Sequence, residues 1–340
     1  MARNIRDLAP LAFPVAGLVA AIGVAVLVFA THHGPTIPDG SPGAASVSQG
    51  AKPRPHHDPT APGSAKPPKP PKPGETCVPA ERTDEITVVT FNIHSARTGT
   101  GAVGLAQIGA ELAAMKPDVV LLQEVDRGRA WSARLDMPSV LAKDLDMHWA
   151  FGDNVRRTTT NQYGTAILSR FPIVSWHNQL LPRPPGTQQR GLLETILDID
   201  GVRTHVYVTH LENSSPTARL LQMRAIAPVL RADTGPKLLG GDFNSVSTSP
   251  VGALARSVLS DTWRAIGSGS GLTAPAGAPR VRIDYLYYGN GGDTTITPRS
   301  IEVMPRSAVS DHRAVRATYT LSTGSADNVC VPVIGQDDLP

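Results

Sequence analysis

From Ile86 onward, apolar residues recur in short blocks separated by turn residues, and the blocks are of two kinds. Ile86–Phe91, Asp118–Gln123, Ala166–Leu168, Leu192–Ile199, Val202–Thr209, Lys237–Leu239, Val281–Tyr288 and Arg313–Leu321 are β-branched or continuous apolar runs and predict strands. Leu105, Ile108, Leu112 and Met115 have helical spacing, and Pro117 ends that pattern. Ser139–Met147 and Pro216–Arg231 predict two more helices, the latter through Leu220, Met223 and Ala227 with a kink at Pro228. Asp200-Gly201 between two apolar runs predicts a hairpin. The mixture implies an α/β domain of about 250 residues, of a size that fits one large layered sandwich.

The first 76 residues do not share this pattern. Arg3 and Arg6 precede a run from Leu8 to Ala30 without a charged residue. A basic flank before an apolar run of that length is an N-terminal signal anchor or a cleaved signal peptide. The length favours the anchor, while Val28-Phe29-Ala30 offers a cleavage site. Either reading exports the rest of the chain. Residues 31–76 are rich in Pro, Gly, Ser, Ala and Lys and close on a Lys-Pro repeat, so a disordered, semi-rigid spacer is expected. The folded domain is expected over 77–330, with a short tail at 331–340.

Charge sharpens the contrast. The chain has 32 basic and 29 acidic residues, but seven of the basic and three of the acidic ones precede residue 75. The folded part is left with 25 basic and 26 acidic residues, without the excess expected of a domain that grips nucleic acid by charge alone. Cys77 and Cys330 are the only cysteines and bracket the domain. In an exported protein two such cysteines are expected to pair, although two free thiols are the alternative.

Candidate chemistry gathers at the ends of predicted strands: Asn92, Glu124, His210, Asp242, Asn244, Asp284 and Asp311-His312. Strand ends are where sites assemble in α/β sheets. Gly240-Gly241-Asp242-Phe243-Asn244 stands out, because the glycines allow a sharp turn and Asp242 and Asn244, two apart, share one side of an extended backbone. An acid beside an amide suits holding and deprotonating a water, although the same residues also make ordinary turns. Asp284 lies between Ile283 and Tyr285 in an apolar strand, where a carboxylate needs a partner, and His312 is the natural one.

The segments Thr90-Phe91-Asn92-Ile93, Leu122-Gln123-Glu124-Val125, Tyr163–Ser169, Thr209-His210-Leu211, Gly241-Asp242-Phe243-Asn244, Arg282-Ile283-Asp284-Tyr285 and Ser310-Asp311-His312 carry a resemblance. In content and order they resemble the endonuclease/exonuclease/phosphatase superfamily, the fold shared by DNase I, exonuclease III, neutral sphingomyelinases and inositol polyphosphate 5-phosphatases. The resemblance implies a DNase I-like four-layered α/β sandwich, two packed mixed sheets flanked by helices. It also implies a phosphoric-ester hydrolase, acting most naturally on a phosphodiester. Glu124 and Asn92 would hold Mg²⁺, with Mn²⁺ as a substitute, since few hard oxygen donors suit that ion. Asp242 would orient or deprotonate the attacking water with help from Asn244. His210 and His312 would contact the scissile phosphate, Asp284 would orient His312, and Asp311 would support the metal and water region. Arg190 is a candidate phosphate contact, and Tyr163 reads as packing.

The branch within the family stays open. Thr209-His210-Leu211 resembles the DNase I and sphingomyelinase side, while the tyrosine–proline–asparagine segment of exonuclease III-type enzymes is absent. The 5-phosphatase signature is also absent, and Arg280–Asp284 stands in its place. The expected substrate is extracellular nucleic acid, a phospholipid or a small phosphodiester. A membrane contact through the N-terminal anchor and a monomeric state are expected. A non-catalytic binding protein on the same fold is the competing reading.

Overall fold

The computed structural model describes residues 75–332, and side chains over 82–324. The predicted anchor, most of the spacer and the last eight residues lie outside the described residues. Among the described residues no helix is long and apolar enough to cross a membrane.

Twelve strands succeed one another: β1 Glu75–Asn92, β2 Val119–Arg127, β3 His148–Thr158, β4 Asn161–Ser169, β5 Ile173–Leu180, β6 Gly191–Ile199, β7 Val202–His210, β8 Lys237–Asp242, β9 Ser260–Asp261, β10 Asp284–Gly289, β11 Thr294–Val303 and β12 Val315–Pro332. The helices are α1 Leu105–Ala114, α2 Met137–Leu145, α3 Pro216–Ala232, α4 Pro250–Arg256 and α5 Thr262–Ile266. The strands make two six-stranded sheets, ordered β11-β12-β1-β2-β4-β3 and β5-β6-β7-β8-β10-β9. Both are mixed: β1 with β2 and β7 with β8 are parallel, their other neighbours antiparallel.

The apolar runs read as continuous because both faces of the inner strands are buried. Successive side chains point to opposite faces. Val88, Val119, Leu121, Val206, Val208 and Leu238 therefore meet between the sheets. Their sequence neighbours Val89, Val120 and Leu122 face α1 and α2, where Ile108, Leu112 and Leu141 cover them. Tyr207 and Leu239 face α3 and α4 through Met223, Ile226, Leu230 and Val251. Three cores separate four layers, which is the DNase I-like sandwich.

Local chemistry explains the main element ends. The Asp200-Gly201 hairpin is as expected, with both residues at positive φ (48° and 96°) and Asp198 Oδ1 accepting from Gly201 N at 2.7 Å. Ser215 caps α3 by accepting from Ala218 N, with Pro216 in the first turn. The helix runs through Pro228 to Ala232. β1 begins earlier than the apolar run, because its first half pairs with the end of β12. In that ladder the backbone of Cys77 lies opposite Cys330, although both side chains fall outside the described ones.

Candidate active site

Parallel pairing brings the predicted residues to one edge of the molecule. Asn92 ends β1, His210 ends β7 and Asp242 ends β8. His210 and Asp242 are register partners, and antiparallel β10 sets Asp284 against Asp242 from the other side. Glu124 does not end its strand. It sits at a register shift in β2 between Leu122 and Val125, with φ 57°, and β2 continues to Arg127. A bulge of this kind re-aims a side chain, and the half-buried Glu124 lines a cleft of about 490 Å³.

The two glycines of the central stretch do not make the turn that the sequence suggested. Both lie inside β8. A Cβ on Gly241 (φ 152°) would fall 2.0 Å from the carbonyl oxygen of Thr209, so the glycine permits close strand approach rather than a bend. The chain turns afterwards, at Asn244 (φ 48°). Asp242 and Asn244 are brought together by that turn, not by an extended backbone: Asn244 N donates to Asp242 Oδ1 at 2.8 Å.

Asp242 is the hub. It is 1% exposed. Asn92 Nδ2 donates to Asp242 Oδ2 and to Glu124 Oε1, each at 3.1 Å. His210 Nε2 and His312 Nε2 lie 3.5 Å and 3.7 Å from Asp242 Oδ2. Burial, reinforced by the charge of Asp284, pushes the Asp242 carboxyl up to about 7 despite the opposing pull of His312, Asn244 and Asn92.

The two histidines are held in different states. Burial works against a proton on His312, but the charge and hydrogen bonds of Asp284 outweigh it and raise the imidazole to about 10. Asp284 is itself buried, and its two oxygens lie 3.1 Å and 2.9 Å from His312 Nδ1, which is the partnership expected from sequence. His210 is driven well below its ordinary value by burial, with the charges of Arg190 and His312 adding to the effect, so it is neutral. Asn244 Nδ2 lies 3.1 Å from His210 Nε2, which places the ring proton on Nδ1, an atom without a hydrogen-bond partner among the described residues.

The remaining predicted residues sit further out. Arg190 is 3% exposed, 3.7 Å from buried Glu212, with its charge felt by Tyr163 and His210. Its Nε has no partner among the described residues. Tyr163 is packed, as expected, yet also lines the cleft, and burial together with the charge of Glu124 raises its phenol. Asp311 points outward with a side chain 60% exposed, 3.9 Å from His94 Nδ1.

Some supporting residues gave little or no sequence signal. Ser310 Oγ donates to Asn92 O at 2.5 Å and accepts from His312 N at 3.0 Å, tying two site segments together. Thr273 Oγ1 accepts from the amides of Ile283 and Asp284 at 3.2 Å and 3.3 Å. Ser310 was at least within a recognised motif, whereas Thr273 lies in a loop without a pattern.

The oxygen-rich donor set fits a hard divalent cation. Ligand atoms of Asp242, Asp284 and His312 lie within 4.8 Å of one another. That grouping is already closed, however, since both Asp284 oxygens face His312 Nδ1. Glu124 is the carboxylate open to the cleft. Asn92 presents its amide nitrogen to Glu124, while its oxygen accepts from His94 N at 3.1 Å, so ligation through Oδ1 requires the amide to turn.

Comparison with known proteins gives a consistent result. Residues 89–312 match the model of the Endonuclease/Exonuclease/phosphatase family. Protein cwh43 of Schizosaccharomyces pombe is 34% identical over 144 residues, 42% of this chain but only 14% of that protein's length. An endonuclease/exonuclease/phosphatase structure from Beutenbergia cavernae aligns with a TM-score of 0.58 and 26% identity over 75% of this chain and 76% of that one. A mannosyl-6-phosphatase of Bacteroides thetaiotaomicron shares the fold, with a TM-score of 0.56 and 15% identity over 69% and 99% of the two chains.

Proposed function

The chain belongs to the endonuclease/exonuclease/phosphatase family, and from that premise we propose that it is a metal-dependent phosphoric-ester hydrolase, acting on a phosphodiester outside the cytoplasm. The observation that carries this is the buried Asp242 carboxylate, fixed by Asn92 and Asn244 between a cationic and a neutral imidazole. Asp242 orients the attacking water and takes its proton, a role suited to a carboxyl raised to about 7. His312, cationic, offsets charge developing on the phosphoryl oxygens and donates a proton to the departing oxygen. His210, neutral, accepts from Asn244 Nδ2 through Nε2 and sits beside Asp242 without adding a charge. Arg190 adds a buried positive charge that His210 feels, and that charge would draw a phosphate toward this end of the site. A Mg²⁺ held by Glu124, joined by Asn92 only once its amide has turned away from Asp242 and His94, would supply Lewis-acid polarisation of the phosphoryl group.

The deciding experiment is hydrolysis of bis(p-nitrophenyl) phosphate with Mg²⁺ or Mn²⁺, with and without EDTA, beside DNA and phospholipid substrates. Metal-dependent turnover is expected. Its absence on every substrate would favour a binding protein on the same fold. Glu124→Gln keeps the size and removes the charge, and should raise the Mg²⁺ concentration needed for half-maximal turnover by at least about tenfold. An unchanged metal dependence in this variant would count against the assignment of Glu124.

The same reading extends to the ends of the domain. The uncharged run from Leu8 to Ala30 supports export with an N-terminal tether. The opposed backbones of Cys77 and Cys330 support a bridge between them. That bridge would close nearly the whole domain and contribute about 5 kcal/mol by loop entropy. Non-reducing peptide mapping of exported protein should recover the two cysteines as one linked pair. Two free thiols would exclude the bridge.

A further inference from the structure

The Asp284–His312 pair joins two separate segments of the chain, and the carboxylate does not fix its own place. Among the described residues the Asp284 oxygens bond only to His312 Nδ1. Where they stand is therefore set by the Asp284 backbone. On one side that backbone pairs with β8, opposite Asp242. On the other side β9 is two residues long and pairs only with Tyr287 and Tyr288. The outer edge of β10 is thus left without a strand at the end nearest the site, and its amides need another acceptor.

Thr273 supplies it. Its Oγ1 accepts from Ile283 N and Asp284 N at 3.2 Å and 3.3 Å. The residue is fully buried, so solvent does not stand ready to replace the hydroxyl. The same residue grips the histidine segment, because its carbonyl oxygen accepts from Arg313 N at 2.9 Å. Ala276, three residues on, completes the grip: its amide donates to Asp311 O at 2.6 Å, and its carbonyl accepts from Arg313 Nε at 2.8 Å. A bridge between Ala274 and Val281 closes this loop, with Thr273 N donating to Val281 O at 2.8 Å. The peptides on both sides of His312 are therefore held by the loop that also holds Asp284. Thr273 is where the two supports meet, its hydroxyl on the carboxylate's backbone and its carbonyl on the chain after the imidazole.

We propose that Thr273 is a positioning residue for the hydrolysis: its hydroxyl sets where Asp284 stands against His312 Nδ1, and so keeps His312 Nε2 aimed for proton transfer to the departing oxygen. The inference rests on the phosphoesterase reading above.

Thr273→Val tests it, because it keeps the shape and both backbone bonds of Thr273 while removing the acceptor from two amides. On bis(p-nitrophenyl) phosphate with Mg²⁺ it should lower kcat by about 10- to 100-fold, the cost of a small misplacement, and change KM by less than about twofold. Thr273→Ser restores the hydroxyl and should recover most of the loss. In an Asp284→Asn background, Thr273→Val should add less than about threefold, since it acts only through the carboxylate. Where Thr273→Val fails to fold, Thr273→Ala is read in its place, with the same expectations; a water in the space it opens can satisfy the amides without fixing them. An unchanged kcat, a loss carried by KM, no recovery with Thr273→Ser, or losses that multiply in full with Asp284→Asn would overturn the role and leave the proposed function standing. If the unaltered protein hydrolyses no substrate, the His312 Nδ1 proton reads the positioning directly. In EDTA its NMR signal, assigned by its loss in His312→Ala, should exchange slowly in the unaltered protein and in Thr273→Ser, and broaden or vanish in folded Thr273→Val. A signal absent from the unaltered protein, or unchanged in Thr273→Val, would overturn the role.

Discussion

Asp242→Asn is expected to lower kcat on bis(p-nitrophenyl) phosphate by about 10²–10⁴, the range for removing a general base. The side chain keeps its size, so Asn244 N still finds an oxygen to donate to. The atom facing Asn92 Nδ2, His210 Nε2 and His312 Nε2 becomes an amide that cannot take a proton from water. A structural readout separates this from misfolding. Burial and the charge of Asp284 raise the Asp242 carboxyl from 3.8 to about 7, so the folded state favours its protonated form. Ionised Asp242 therefore costs the folded protein nothing below pH about 4, an increasing amount between about 4 and 7, and its full cost above 7. Asparagine carries no such cost. In EDTA, the stability of Asp242→Asn relative to the unaltered protein should shift in the variant's favour as pH rises from about 4 to 7 and then level off. Denaturant melts across that range check it. A difference independent of pH would mean that the carboxyl is not held in the raised state that a general base requires.

Which parts of the molecule were legible in the sequence depends on where each strand sits. The eight strands announced by apolar runs are the eight interior ones, flanked by neighbours and buried on their faces. The four unannounced strands, β3, β5, β9 and β11, are the four sheet edges. β5 exposes Val174, Trp176 and Leu180, β11 carries Pro298 at a register shift, and β9 is two residues long. Edge strands are kept short, interrupted or polar, so the property that suits them to an edge removes the periodicity that would reveal them. The site shows the same division. Residues at strand ends were found because a polar residue after an apolar run is conspicuous. The bulge at Glu124 and the hydroxyl of Thr273 at the Asp284 amide were not visible. Each depends on backbone geometry or on contacts that spacing does not encode.

The Asp284–His312 pair offers the sharper test of the proposed chemistry, because it predicts how two losses combine. Both oxygens of Asp284 lie within 3.1 Å of His312 Nδ1, and Asp284 is 2% exposed, so it reaches a substrate only through the imidazole. His312→Ala should lower kcat by about 10²–10⁴. Asp284→Asn should cost less: it can keep the ring in place through one hydrogen bond, but it withdraws the counter-charge that outweighs burial and holds the imidazole up at about 10. Its signature is a fall in the imidazole value, read by NMR titration of the ring protons in EDTA. A merely structural role for Asp284 would not move that value in a protein that remains folded. The double variant should be little worse than His312→Ala alone, since Asp284 has nothing left to orient. The metal requirement set by Glu124 should hardly change in any of the three. Losses that multiply in full would show that Asp284 acts on the reaction by itself, as a ligand or a second base, and the grouping of Asp242, Asp284 and His312 would then have to be read as a cation site.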